Sequence, residues 1–421
     1  MQNIDRRHFL AQSAAGTALA GLGATLATQT TFGADSSNAS LMKEIEREVI
    51  FKGRETGTSW FHPRPCKVPG AGEKDIGEIL MTLQTIGGSD YFGPVHWTSS
   101  RDLGRTWTTP APIAALGRIP IAGGVEEGVC DVVPEFHPTT GTVLAIGHTV
   151  NYKGGRFYTD QPPRWPIYVV RGRDGEWGER KKIVWDDPRN SLIYSCGCSQ
   201  RVTLENGELL IPLTYGAQQR KDRQVTSIRA TFDGRELKIV QIGSELTNAV
   251  GRGLLEPSMV HWKGRFFLTI RAEDNHGYAA VSDDGLKWAD KKAWTWDDGE
   301  PVTMSTTQQH WLPHSSGLFL VYTRKDAQNT GVMRWRAPLF MAQVDPESLR
   351  LIRATEHVAL PLLGDGVKDG RKVPYGGNFH TVMASRDESW ITDCETFPSN
   401  GYRGNTLLAR VRWSKPNELA T

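Results

Sequence analysis

Ser100-Arg101-Asp102-Leu103-Gly104-Arg105-Thr106-Trp107 fits the pattern S-x-D-x-G-x-T-W at every fixed position, and Ser282-Asp283-Asp284-Gly285-Leu286-Lys287-Trp288 repeats it one residue shorter. The spacing has a physical reason. An aspartate carboxylate accepts backbone N–H groups inside a tight hairpin, glycine supplies a positive-φ position, and tryptophan packs the turn onto its sheet. Arg171-Gly172-Arg173-Asp174-Gly175-Glu176-Trp177 and Thr231-Phe232-Asp233-Gly234 are weaker copies. One turn recurring at the ends of predicted strands implies a repeat architecture.

Outward from these turns the chain reads as short apolar runs punctuated by Gly, Asp, Asn and Pro. Ile79–Leu83, Val143–Ile146, Ile167–Val170, Leu209–Ile211, Phe266–Ile270 and Leu318–Tyr322 are each too short for a typical helix, and turn signals such as Asn206-Gly207 and Lys263-Gly264 bound them. Each predicts a strand. The 44 Gly, 23 Pro and 14 Trp of the 421 residues suit many strands joined by tight hairpins. The expected fold is all-β: a six-bladed propeller of four-stranded antiparallel blades over residues 42–417, with five or seven blades as the alternatives.

Charge narrows the partners. Lys+Arg of 49 against Asp+Glu of 47 leaves a formal charge of +2, so no broad basic field is available for nucleic acid or an anionic membrane. Any anion recognition must be local. Cys66, Cys130, Cys196, Cys198 and Cys394 are too sparse for a disulfide framework and lack a zinc-motif spacing. They read as small buried residues, a single disulfide being the alternative. No HExxH, GxxxxGK[ST] or GxSxG motif occurs.

Asp5-Arg6-Arg7-His8-Phe9-Leu10, followed by an Ala/Gly-rich stretch to about Ala27, predicts a signal peptide over residues 1–34. Its adjacent arginines resemble a twin-arginine signal, which implies passage through the twin-arginine export machinery, cleavage between Ala27 and Ala34, and a periplasmic or extracellular protein. No later run approaches the ~20 apolar residues of a membrane span, so no membrane insertion is expected once the signal is removed.

With these turns the chain resembles the sialidase (neuraminidase) superfamily, whose propellers carry such turns as Asp boxes, or BNR repeats. Asp boxes are structural, so Asp102 and Asp284 are assigned no chemistry. The resemblance implies three arginines that clamp a substrate carboxylate, a tyrosine nucleophile activated by a glutamate, an aspartic acid/base, and a second glutamate that steadies one arginine. Arginine suits the clamp because it offers a planar, permanently charged fork of donors. Asp90, shortly before the first Asp box, takes the acid/base place. Leu255-Glu256, the Lys263-Gly264 turn and Arg271 match the family's glutamate–hairpin–arginine unit, and the hairpin returns Arg271 to the end of the blade that carries Glu256. Arg336 before an apolar run is the third arginine, with Arg324 as rival; Tyr375 and Glu395 take the nucleophile and arginine-steadying places.

The chain departs from the family at the first arginine. Sialidases carry Phe-Arg-Ile-Pro, whereas this chain reads Trp60-Phe61-His62-Pro63-Arg64-Pro65. Either Arg64 substitutes in a shifted register or His62 occupies the arginine's place, because a one-residue slip turns a side chain to the other face. Gln308-Gln309-His310-Trp311 suits sugar binding or blade filling, and the acidic segment Gly123–Glu135 supplies an accessory acid or an inter-blade loop.

The resemblance implies a retaining exo-glycosidase for a terminal acidic sugar, with sialic acid the substrate and no cofactor or metal required. A neutral tyrosine nucleophile avoids the repulsion a carboxylate would meet beside an anionic sugar. The alternatives are a propeller hydrolase or lyase for another uronate- or rhamnose-containing polysaccharide, with His62 as acid or base, and a non-catalytic sugar-binding propeller.

Overall fold

A computed structural model describes residues 40–70, 76–184, 186, 192–216 and 222–420. The segment read as a signal peptide lies outside the described residues. Six antiparallel sheets succeed one another along the chain as the blades of a propeller.

Blade 1 runs from the inner strand Trp60–Val68 through Glu78–Gly88 and Tyr91–Ser100 to Ala111–Pro112. Blade 2 uses Val125–His137, Thr142–Lys153, Pro166–Arg171 and Lys181–Lys182, with short strands added at Ile119–Ile121 and Arg156–Phe157. Blade 3 has a divided inner strand, Leu192–Ser195 and Val202–Thr203, then Leu209–Gly216, Gln224–Phe232 and Leu237–Ile242. Blade 4 is Leu255–Trp262, Arg265–Arg271, Gly277–Ser282 and Lys292–Ala293. Blade 5 is His310–His314, Gly317–Tyr322, Leu339–Asp345 and Arg350–Leu351, with His357–Leu360 also on the third strand.

Blade 6 closes the ring. Its strands His380–Met383, Glu388–Cys394 and Thr406–Trp413 receive Met42–Phe51 as the outer strand, with Met42 opposite Trp413 and Phe51 opposite Thr406. Joining the two ends of the domain in one sheet makes opening the ring cost a whole ladder of hydrogen bonds.

Five of the six apolar runs predicted as strands fall in second strands, and Ile167–Val170 falls in a third. Their continuity has a cause: a second strand is covered by neighbouring blades on both faces, so it does not alternate. Ile79, Leu80, Met81 and Leu83 are all buried, and Trp294 and Trp311 fill the gap between blades 4 and 5.

The aspartate turns join third to fourth strands. In blade 1, Asp102 accepts from Thr106 N (2.9 Å) and Thr106 Oγ1 (2.7 Å), while Ser100 Oγ donates to Asp102 and accepts from Gly104 N (2.7 Å). A Cβ on Gly104, at φ 76°, would meet Trp390 and Arg410 at 2.9 Å, so the turn docks directly on blade 6. Asp284 in blade 4 accepts from Leu286 N and Lys287 N at 2.8 and 2.7 Å. Asp174 and Asp233 occupy the same place in blades 2 and 3. Asp345 does so in blade 5, accepting from Glu347 N and Ser348 Oγ, although the surrounding sequence matches the pattern too poorly to be read in advance.

Candidate active site

The inner strands do not reach the axis as regular strands. Register shifts interrupt the pairing between Phe61 and Arg64 in blade 1, Cys130 and Val133 in blade 2, Ile193 and Ser195 in blade 3, and Leu255 and Ser258 in blade 4. Bulges re-aim side chains at barrel rims and pockets. Here they deliver His62, Asp131 and Glu256 to one axial cavity of about 590 Å³. Six of the eleven described non-glycine residues at positive φ line it: His62, Asp90, Asp131, Glu256, Arg334 and Tyr402. Backbone strain of this kind costs of order 1–3 kcal/mol per residue and persists where the surrounding structure over-determines the geometry.

Five residues chosen from sequence meet in this cavity together with His62: Asp90, Glu256, Arg271, Arg336 and Tyr375. Asp90 is exposed on the hairpin between the second and third strands of blade 1. The Lys263-Gly264 turn pairs Trp262 with Arg265 and Leu255 with Arg271, which closes the hairpin as read from the sequence. Arg271 Nη1 donates to Glu256 Oε1 at 2.5 Å and its Nε to Thr306 Oγ1 at 3.1 Å, while Thr214 Oγ1 accepts from Glu256 N. Glu256 therefore holds Arg271. Tyr375 Oη points its proton toward Met333 Sδ (3.7 Å), and burial raises its pKa despite Arg336 nearby.

Gly376 and Gly377 bring Tyr375 against Arg336. Gly376 N donates to Arg336 O, a Cβ on Gly376 would lie 2.0 Å from Asp393 Oδ2, and Gly377 at φ 100° donates its N–H to that oxygen. Burial, then Arg334 and Arg271, lower the Arg336 pKa to about 10. Arg334 is lowered by burial and by Arg271 and Arg252. Burial is the larger cause for both, and the neighbouring arginines add to it, so Arg271, Arg334 and Arg336 bring positive charge close together in the cavity.

Two readings are corrected. Arg64 does not line the cavity: it is 0% exposed and donates to Phe379 O (2.6 Å), Asp131 Oδ1 (3.0 Å) and Gln308 Oε1 (3.2 Å). The bulge after Phe61 turns His62, at φ 52°, into the cavity in its stead. Glu395 steadies an arginine, but it is Arg54, through two bonds of 2.8 and 2.7 Å, beside an adjoining cavity that shares Arg336 and Tyr375. The rival Arg324 is paired with Glu356 and Asp326 outside the axial cavity. Gln308, Gln309, His310 and Trp311 are all buried and fill the structure.

The acidic segment is not a loop: Val125–His137 is the inner strand of blade 2, and it brings to the cavity Cys130 and the carboxylate of Asp131. Burial opposes its charge, but His62, Arg64 and His148 hold its pKa well below the usual carboxylate range. Arg334, His148 and Arg164 are cavity residues that sequence reasoning did not single out, and Asp131 stood out only as part of the acidic segment. A positive-φ arginine in Arg334-Trp335-Arg336 has no local signature, and two of the others come from mid-strand.

No family model matches the chain, and no curated protein matches it. Solved structures do. A protein of unknown function from Dyadobacter fermentans DSM 18053 superposes with a TM-score of 0.61 at 13% identity, covering 89% of this chain and 100% of that one. Trypanosoma rangeli sialidase matches with a TM-score of 0.59 at 15% identity over 88% of this chain, which spans 60% of that longer protein. The fold resembles that of sialidases. Hadza microbial sialidase Hz136, with a TM-score of 0.58 at 13% identity over 87% of this chain and 68% of that one, has the same propeller form. At these identities the likeness of this sialidase-like propeller to its neighbours is one of fold.

Proposed function

We propose that this protein is an exported retaining exo-glycosidase that acts on a terminal acidic sugar, sialic acid being the first candidate. One observation carries the reading: Asp90, Glu256, Arg271, Arg336 and Tyr375, separated by as much as most of the chain, line a single axial cavity. Arg271 and Arg336 hold the sugar carboxylate, with Arg334 as the third arm in place of the buried Arg64. Tyr375 attacks the anomeric carbon and Asp90 protonates the departing oxygen; Glu256 fixes Arg271 and takes the tyrosine proton as the substrate seats. Water then releases the sugar with retained configuration.

The test is release of sialic acid from sialyllactose by the purified protein, followed by NMR to read the anomer first formed. Release with retention supports the reading. No release, together with cleavage of uronate-containing oligosaccharides, would overturn sialic acid as the substrate. That second reading is favoured by His62 in place of the first clamp arginine, since a histidine reads a different substituent from a guanidinium. Sugar binding without turnover of either substrate would leave a binding propeller.

Export through the twin-arginine machinery belongs to the same proposal and rests on Arg6-Arg7 and the stretch that follows. Among the described residues no helix is long and apolar enough to cross a membrane. Replacing both arginines with lysine should hold the precursor in the cytoplasm, as read by fractionation.

A further inference from the structure

His62 and Asp131 face each other at the wall of the axial cavity. Gln84 Nε2 donates to Gly93 O and Val129 O, both at 2.8 Å, which fixes the amide and leaves Oε1 as an acceptor for His62 Nδ1 at 3.4 Å. With the proton on Nδ1, His62 Nε2 is a lone pair available to a ligand. It stands 3.5 Å from Asp131 Oδ1, which is also an acceptor. In that tautomer a metal ion joins the two; in the other, the proton on Nε2 does.

The surroundings favour the ion. Cys130 and His148 are directly opposite across the first two strands of blade 2, with Sγ and Nε2 3.3 Å apart. Donor atoms of Cys130, Asp131 and His148 all lie within 4.8 Å of one another. In a tetrahedral site with bonds of ~2.0–2.3 Å, neighbouring donors are roughly 3.3–3.8 Å apart, which the Cys130–His148 contact of 3.3 Å and the His62–Asp131 contact of 3.5 Å already match, while His62 lies outside the group of three and must swing in to complete the shell. Consecutive residues of a regular strand point to opposite faces, yet the bulge after Cys130 and the positive φ of Asp131 put both on the cavity.

We propose that His62, Cys130, Asp131 and His148 form a binding site for a first-row divalent cation of the zinc class. The donor set of two imidazoles, a thiolate and a carboxylate is the mixture such ions accept, and its two negative charges balance the cation. Gln84 on His62 and Arg64 on Asp131 act as the outer hydrogen bonds that orient ligands. The ion joins blade 1 to blade 2 at the wall of the axial cavity. It cancels the negative charge of Asp131 beside the position where the sequence lacks the expected clamp arginine. The inference does not depend on the glycosidase reading.

Cobalt(II) titration of the metal-depleted, purified protein tests it, alongside zinc content by mass spectrometry after extensive dialysis. Expected are about one zinc per chain and, with cobalt, a near-ultraviolet thiolate-to-metal band with intense visible bands of a four-coordinate ion. Cys130→Ser should abolish the near-ultraviolet band, whereas Cys66→Ser and Cys196→Ser should keep it. If Cys130→Ser does not fold, single replacement of each of the other four cysteines should leave the band intact and assign the thiolate by elimination. A folded wild-type protein that retains no metal and shows no cobalt band overturns the site and leaves a protonated His62 beside Asp131. Metal binding without sugar release would sustain this site while removing the proposed function.

Discussion

The aspartate turns and the axial cavity solve opposite problems with the same residue types. In the turn at Ser100, every partner of Asp102 lies within four residues, and the carboxylate is spent on holding backbone and hydroxyl groups. In the cavity, Asp90, Asp131 and Glu256 come from three parts of the chain, on backbone at positive φ, and share the lining with Arg271 of blade 4 and Arg334 and Arg336 of blade 5. Local partners make a rigid turn; remote partners make a charged hollow that only the closed ring can hold. Residues in the hollow should therefore govern turnover with little effect on stability, and residues in the turns the reverse.

The largest effect is expected at Tyr375. The substitution Tyr375→Phe removes the oxygen that attacks and should take sugar release to background, with a melting temperature equal to wild type; normal turnover by the Tyr375→Phe variant breaks the nucleophile assignment. Asp90→Asn comes next, with kcat down by ~10²–10⁴-fold, the usual range for a lost acid/base group. An activated leaving group such as a nitrophenol should recover much of that loss, because it departs without a proton.

Arg334→Ala sharpens the distinction between clamp and chemistry. If Arg334 binds the sugar carboxylate in the ground state as in the transition state, KM rises about 10-fold, equivalent to about 1.4 kcal/mol, and kcat holds. A fall in kcat with KM unchanged would move Arg334 from binding to transition-state contact.

The smallest effect belongs to the turn. Asp102→Ala should cost about 1 kcal/mol in denaturant unfolding, the net worth of a hydrogen bond or two, and leave kcat untouched. Although partial burial opposes it, the bonds from Thr106 and Ser100 lower the Asp102 pKa to about 2. A depressed folded-state pKa adds stability above the ordinary carboxylate value near 3.8, and that stability is lost as pH falls toward 2. The difference between wild type and Asp102→Ala should accordingly vanish at the acid end of a pH series of melting curves.

The same contrast explains how much could be read in advance. Second strands were visible as apolar runs because both faces are covered, and the aspartate turns because their chemistry is complete within eight residues. The Glu256–Arg271 hairpin was legible for a like reason: a two-residue turn and strands of similar length carry the register from one residue to the other. His62 against Arg64 was not, since a bulge that inserts one residue between Phe61 and Arg64 inverts which side chain faces the axis. The partner of Glu395 was invisible as well, because Arg54 lies near the other end of the chain and meets it only when blade 6 closes beside blade 1.

By itself, then, the sequence determined an all-β chain of repeated hairpins and nominated a set of polar residues for one end of the ring. Hydrophobic continuity and turn chemistry act over a few residues, and a linear pattern records them. Tertiary structure alone decided that Arg64 goes beneath the cavity, that Arg334 and Asp131 enter it, and that His62, Cys130, Asp131 and His148 gather at its wall. These outcomes depend on bulges, positive-φ residues and ring closure, whose energies are set by contacts between blades rather than by neighbours along the chain.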